Sequence, residues 1–172
     1  MRRIRYAVAA SLDGYIAGPN GEFDWIITDP EIDFGALYKS FDTVVMGRKT
    51  FEFAMTQGGT GSMPGMKTVV VSRTLRPQDY PKVTIVADRL EEELTRLRAE
   101  PGKDIWLFGG GELFRSLLGV GLVDTVEVSI IPVMLGCGIP LLPSPAGQVN
   151  LKLVGSKTYR TGIMSLEYAI ER

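Results

Sequence analysis

Apolar runs of strand length, each closed by turn residues and separated by helical patterns, constrain this chain more than any other feature. The runs cover residues 4–10, 43–46, 68–71, 83–86, 105–108 and 125–131, and three of them read as buried on both faces. Helical patterns lie between them at 33–40, 49–55, 90–99 and 112–118. Strands alternating with helices predict a parallel sheet covered by helices. The pattern changes near the end. Residues 151–159 and 163–171 read as two strands joined by the turn Arg160-Thr161-Gly162, an antiparallel hairpin. The expected fold is therefore α/β, a mixed, mostly parallel central sheet flanked by helices, with an antiparallel C-terminal hairpin. No repeat or linker interrupts it, so residues 1–172 read as one domain, of a size that buries roughly 70% of its unfolded surface. The glycine-rich stretch 56–66 reads as a long flexible loop inside that domain.

Composition removes several kinds of chemistry. With no histidine and the single cysteine Cys137, the chain holds neither a Cys/His zinc site, nor a Ser-His-Asp triad, nor an internal disulfide. Nineteen basic against 20 acidic residues leave a formal charge of −1, so no global field recruits nucleic acid or membrane. Any phosphate must be held by a few placed side chains and by backbone N–H groups. The opening Met1-Arg2-Arg3 runs straight into a short, interrupted apolar segment unlike a signal peptide or a span, and the expected address is cytoplasmic.

Four segments can carry chemistry. In residues 42–52 a strand ends at Gly47 and a helix opens with Arg48, Lys49 and Thr50. A helix start offers unpaired N–H groups and a positive dipole end, both suited to phosphate. Gly47 lets backbone approach the ligand, Thr50 adds a hydroxyl, and Arg48 and Lys49 add charge. A plain strand–helix turn with solvated basic residues fits the same pattern. In residues 104–114 a second strand runs into Gly109-Gly110-Gly111 and then a helix starting Glu112-Leu113. Three glycines cost chain entropy and make sense where backbone crowds a ligand; tight strand–helix packing is the competing account and needs only one or two of them. Neither turn is a dinucleotide fingerprint, because G-x-G-x-x-G from Gly109 meets Phe114, and no Walker A loop occurs.

The third segment is a strand ending in Ser72-Arg73-Thr74. Arg73 with Arg48 would clamp the 2′-phosphate that separates NADP from NAD, or Arg73 is simply a surface residue. In the fourth, Ala9 and Ala10 end the first strand before a loop hinged at Gly14, Gly18 and Gly21. Small side chains there leave room for a flat ring, and the loop could close over it; a polar turn is the plainer account.

In this order, Ser11-Leu12-Asp13-Gly14-Tyr15-Ile16-Ala17, Met46-Gly47-Arg48-Lys49-Thr50-Phe51-Glu52, Val71-Ser72-Arg73, Phe108-Gly109-Gly110-Gly111-Glu112-Leu113-Phe114 and Ser156-Lys157-Thr158-Tyr159 resemble the dihydrofolate reductase-like superfamily. The opening motif resembles the branch related to the reductase domain of the riboflavin-biosynthesis deaminase-reductase. The resemblance implies a dihydrofolate reductase-like domain that binds NADPH. Arg48, Lys49, Thr50, Ser72 and Arg73 would hold the 2′-phosphate and neighbouring oxygens, beside Gly47. Gly109, Gly110 and Gly111, with Glu112 and Leu113 opening the helix behind them, would back the pyrophosphate, and Ala9 and Ile16 would border the nicotinamide.

On the substrate side, folate-reducing members carry an acid at the start of the helix after a Trp-containing loop. Here Asp29, Glu31 and Asp33 follow Trp25 and compete for that role, and Asp33 is favoured because it lies just inside the helix. The same acid would also complement the helix dipole. Ser129 falls where folate reductases carry a hydroxyl near the acid, which gives an expected Asp33–Ser129 pair. Residues 132–140 resemble the glycine-bearing loop near the substrate's ribose phosphate in the riboflavin branch, and Cys137 within it reads as inert. The implied activity is NADPH-dependent reduction of a pyrimidine- or pterin-like small molecule, most like 5-amino-6-(5-phosphoribosylamino)uracil. The alternatives are dihydrofolate reduction and an NADPH-binding module without efficient catalysis. Deaminase chemistry needs zinc ligands that the chain lacks. A homodimer is the association that riboflavin-branch relatives imply.

Overall fold

A computed structural model describes residues 1–171. The chain begins with β1 (Ile4–Ser11) and the short β2 (Tyr15–Ala17), then α1 (Phe34–Lys39), β3 (Phe41–Gly47) and α2 (Arg48–Thr56). It continues through β4 (Lys67–Val71), β5 (Thr84–Val86), α3 (Leu90–Ala99), β6 (Asp104–Gly109) and α4 (Gly111–Gly119). It closes with β7 (Thr125–Ile131), β8 (Ile139–Pro140), β9 (Leu151–Thr158) and β10 (Met164–Ile170). Eight strands form one sheet in the order β5-β4-β3-β6-β1-β7-β10-β9. All neighbours pair in parallel as far as β7; β10 then runs antiparallel to both β7 and β9. The fold is α/β and mostly parallel with the expected antiparallel hairpin at its edge.

Strand alternation sorts the side chains into two cores. Ile4, Tyr6, Val45, Ile105, Leu107, Val126 and Val128 pack with Leu94 and Leu97 of α3 and with Leu113, Phe114 and Leu117 of α4. Ala7, Val44, Met46, Val70 and Trp106 face the other way, against Phe51 of α2 and, partly, Leu37 of α1. Adjacent residues of β3 and β6 are thus buried on opposite faces, which explains their unbroken apolar runs. The loop after α2 packs back on this second core, with Met63 and Met66 partly buried there.

Two elements differ from the sequence reading. Tyr15–Ala17 and Ile139–Pro140 form a second, two-stranded sheet. Both are too short for a period of two to register, and each exists because it finds the other. The amino end of the sheet is tied by Arg2, which is buried and binds Asp42 and, at 2.7 Å, Thr43 Oγ1. This joins the start of β1 to the start of β3.

The first core holds one orphan polar atom. Tyr6 is fully buried, stacks on Phe114 with ring centroids 3.9 Å apart, and its hydroxyl has no hydrogen-bond partner among the described residues. Burial pushes its pKa up, so the hydroxyl stays protonated and unsatisfied. Tyr6→Phe is therefore expected to stabilise the protein by about 1 kcal/mol, read as a melting temperature higher by roughly 2–4 °C. An unchanged or lower melting temperature contradicts the orphan assignment.

Candidate active site

Both glycine turns lie at the carboxyl edge of the parallel strands, where open α/β sheets bind ligands. β3 and β6 are neighbours with Met46 level with Gly109, so the turns stand side by side. A Cβ on Gly47 would lie 3.9 Å from the Gly109 carbonyl oxygen and 4.0 Å from the Gly110 nitrogen. Gly47 is the N-cap of α2 and Gly110 the N-cap of α4, and neither start receives a side-chain cap. Two sets of first-turn amides are left for a ligand or water at neighbouring points. The first turn of α2 contains Arg48 and Lys49 and no acid, the reverse of what the helix dipole favours. Such a start gains stability from a bound anion.

The three glycines divide the work. Gly109 has φ +144°, a conformation that side chains rarely adopt, and the Gly109–Gly110 peptide is cis. A Cβ on Gly111 would sit 2.7 Å from the Pro140 carbonyl oxygen and 2.9 Å from Pro143 Cδ, so this position is glycine for packing against the β8 segment. At Gly110 the nearest atom would be Thr50 Oγ1 at 3.4 Å. Backbone exposure to a ligand therefore falls mainly on Gly110.

A cavity of about 1690 Å³ opens at these turns, beyond the roughly 300–1,000 Å³ of a single small-ligand pocket. Every residue expected at the cofactor borders it except Ser72. Ser72 is buried, and its hydroxyl accepts from the Thr74 and Leu75 amides at 3.2 and 3.0 Å, so it shapes the turn that presents Arg73. Arg48 is paired with Glu52 at 3.1 Å, and Glu112 with Arg115 at 2.6 Å. Lys49 and Arg73 have no ion pair among the described residues, which leaves them as the available cations among the residues expected at the cofactor; Lys157, also unpaired, borders the cavity from β9.

The substrate-side expectations separate. Asp33 borders the cavity but is the N-cap of α1, its Oδ1 accepting from the Ala36 amide at 2.8 Å. Ser129 also borders the cavity, and its hydroxyl bonds Ser165 Oγ at 3.0 Å. Among the described residues no hydrogen bond joins Asp33 to Ser129. Asp29 is buried away from the cavity wall and accepts from the Glu31 amide (2.9 Å), the Thr161 hydroxyl (2.9 Å) and the Thr161 amide (3.2 Å). It staples the loop after Trp25 to the β9–β10 turn, a structural role that the sequence did not separate from a substrate role. Facing these groups, Phe34, Leu37 and Tyr38 of α1 make an apolar, aromatic wall.

Residues 2–165 match the family model of the RibD C-terminal domain. The chain belongs to the RibD C-terminal domain family. It is 36% identical to the uncharacterized protein YyaP of Bacillus subtilis (strain 168) over 178 residues, covering 97% of this chain and 94% of that protein. Among solved structures, a Shewanella sp. PV-4 protein assigned to riboflavin biosynthesis superposes with a TM-score of 0.84 at 28% identity, covering both chains fully. Dihydrofolate reductase of Enterococcus faecalis, complexed with NADP(H) and RAB-propyl, superposes with a TM-score of 0.74 at 18% identity, covering 99% of this chain and 97% of that one. The dihydrofolate reductase-like fold is thereby established, within a riboflavin-pathway-like reductase family.

The opening motif of this RibD C-terminal domain chain has a structural explanation. Ser11, fully buried, donates to Asp13 Oδ1 at 2.6 Å and accepts from the Tyr15 amide at 3.0 Å. Asp13 also accepts from the Leu135 and Gly136 amides at 3.0 and 2.7 Å, while the Leu12 amide donates to Val133 O at 2.8 Å. Ser-Leu-Asp-Gly is thus a clasp between the β1–β2 turn and the loop after β7. The Ser11 hydroxyl, followed by the Leu135 amide, holds the Asp13 carboxyl down at about 2. Asp29 is also lowered, first by the Glu31 amide and then by Thr161 and Lys157, against its desolvation.

Two outcomes follow from this geometry. Gly111→Ala is expected to destabilise by roughly 1–3 kcal/mol through overpacking against Pro140, with Gly110→Ala costing less, as thermal melts will show. Both clasp carboxylates have folded pKa values below the roughly 3.9 of an unfolded Asp. Their contribution is therefore complete above that pH and fades as pH falls through the folded values. Amide exchange at Leu135 and Gly136 should accelerate between about pH 4 and pH 2 relative to the intrinsic rate at each pH, and at Thr161 as pH falls below the ordinary Asp range; protection at Leu135 and Gly136 that persists unchanged at pH 2 contradicts the Asp13 clasp.

Proposed function

We propose that this chain is a cytoplasmic, NADPH-dependent reductase of a pyrimidine- or pterin-like heterocycle, most like 5-amino-6-(5-phosphoribosylamino)uracil. The observation that carries the cofactor half is the pair of uncapped helix starts, side by side at Gly47 and Gly110, with Arg48 and Lys49 in the first turn of α2, where the dipole disfavours them. A dinucleotide's phosphates satisfy those amides, and Lys49 and Arg73 are the cations free to take a 2′-phosphate. The nicotinamide, when bound, supplies the hydride. The chain's own part is to bind and orient. The small side chains Ala7 and Ala9 border the cavity and leave space for a flat ring, and the α1 wall covers the opposite side. The loop after β2 reaches α2, where Phe23 meets Phe53 edge-on at 5.7 Å at the cavity's border.

The substrate half rests on the shape of this slot, an aromatic wall facing polar strand residues, which suits a flat ring with hydrogen-bonding edges. A module that binds NADPH without efficient turnover is the second reading, favoured by the use of Asp33 as a helix cap. A turnover screen following NADPH absorbance against dihydrofolate and the riboflavin-pathway pyrimidine separates the two, since silence on both favours the module.

Cofactor titration tests the first step. NADPH is expected to bind at least tenfold more tightly than NADH. Arg73→Glu should remove most of that preference, a loss of roughly 10- to 100-fold in NADPH affinity for one charge-assisted contact. Arg48→Glu should cost less, because Arg48 already serves Glu52. Equal affinity of the wild type for both cofactors overturns the assignment.

A further inference from the structure

The α1-facing side of the sheet carries a polar ladder. β7 and β10 place Ser129 opposite Ser165 and Glu127 opposite Glu167; β10 and β9 place Glu167 opposite Gly155. Val126 and Val128 point into the core beneath α3 and α4, so Glu127 and Ser129 face the other way, and their cross-strand partners share that face. All of these residues border the cavity.

The cavity's carboxylates are not equivalent. Asp33 caps α1, and Glu112 is paired with Arg115. Glu127 is held through both oxygens by Arg5, Nε to Oε1 at 2.7 Å and Nη2 to Oε2 at 2.8 Å, and Arg5 lies over the Phe41 ring at 4.6 Å. Glu31 is exposed on a loop. Glu167 is half-buried on a strand, and its carboxylate has no hydrogen bond or ion pair among the described residues. Gly155 leaves space beside it, since a Cβ there would sit 3.7 Å from Glu167 Oε2.

Resting on the reading of this cavity as a reductase's substrate slot, we propose that Glu167, assisted by the Ser129–Ser165 hydroxyl pair, is the specificity-determining group that accepts the donor-rich edge of the heterocycle. A carboxylate only accepts, and its two oxygens match a pair of N–H groups such as those of an amino-substituted ring nitrogen edge. Arg5 neutralises Glu127, so Glu167 is the ladder's one carboxylate without a partner, while the cation on the same face, Lys157 opposite Ser165, lies over the Tyr159 ring at 4.6 Å. The location suits the chemistry. Ala9 is level with Ser129 across β1 and β7, which puts Ser129 one strand spacing, about 4.8 Å, and Ser165 about 10 Å from the wall assigned to the nicotinamide. A ring held at Glu167 and the two serines therefore lies beside the cofactor ring, under the α1 wall. Asp33, at the outer end of α1, keeps its capping role.

The probe is 2,4-diaminopyrimidine, titrated calorimetrically into the full chain with and without saturating NADPH. Glu167→Gln is expected to weaken probe binding at least tenfold, and Ser165→Ala by about threefold. Asp33→Asn should change it less than threefold, and NADPH affinity should stay within twofold in all three. Glu167→Gln binding the probe like the wild type, a larger loss in Asp33→Asn, or a wild type that does not bind the probe overturns the assignment. A wild type that binds the probe with this mutational pattern yet fails to bind NADPH upholds the Glu167 assignment and removes the reductase reading instead.

Discussion

Parallel pairing of β3 with β6 is the constraint on which the rest of the site depends. It brings Met46 level with Gly109, and with them the first turns of α2 and α4. Each start carries the equivalent of roughly half a positive charge, and neither is capped by a side chain. Two such starts held together repel one another; Arg48 and Lys49 of α2 add to the repulsion, and Glu112 in the first turn of α4 offsets part of it. The sheet overcomes this because β3 and β6 are buried on both faces, with Val44, Val45, Ile105 and Leu107 fully excluded from water. Burial of the two central strands therefore holds together two uncapped helix starts that isolated helices would keep apart.

The same register explains why the pair of glycine turns is legible in the sequence and the polar ladder is not. Gly47 and Gly109-Gly110-Gly111 each mark a local event, a strand end followed by a helix start, and local events leave local residue patterns. The boundaries of α3 and β7 coincide with the apolar pattern for the same reason. Ser72 shows the limit: it follows the end of β4, as the local pattern predicts, but its hydroxyl turns inward to two amides. The ladder from Ser129 to Glu167 depends on pairing between residues 36 and more apart in sequence, and on a β10–β9 register that shifts between Glu167 and Tyr168. No period within β10 alone announces it. Ser11 and Asp13 are intermediate cases, residues whose motif was visible while their partners in the loop after β7 were not.

The two halves of the cavity are built to different standards of rigidity. Around the glycine turns, buried parallel strands and close backbone packing at Gly111 fix the geometry. Opposite the ladder stands α1, six residues long with no buried residue, its Phe34 and Tyr38 rings 39% and 46% exposed. A helix this short is marginal by itself and depends on its cap, its tertiary contacts and whatever covers its exposed face. Asp33 supplies the cap, and Tyr38 leans on Trp106 with ring centroids 5.7 Å apart. A flat ring entering the slot would bury the remaining aromatic surface, so part of the binding energy is hydrophobic and is spent on ordering α1. Polar selection would then fall to the hydrogen-bonded strands of the sheet. A domain arranged this way can keep one cofactor cradle and change its substrate through a few side chains of the antiparallel hairpin, because those side chains carry little of the core that holds the cradle in place.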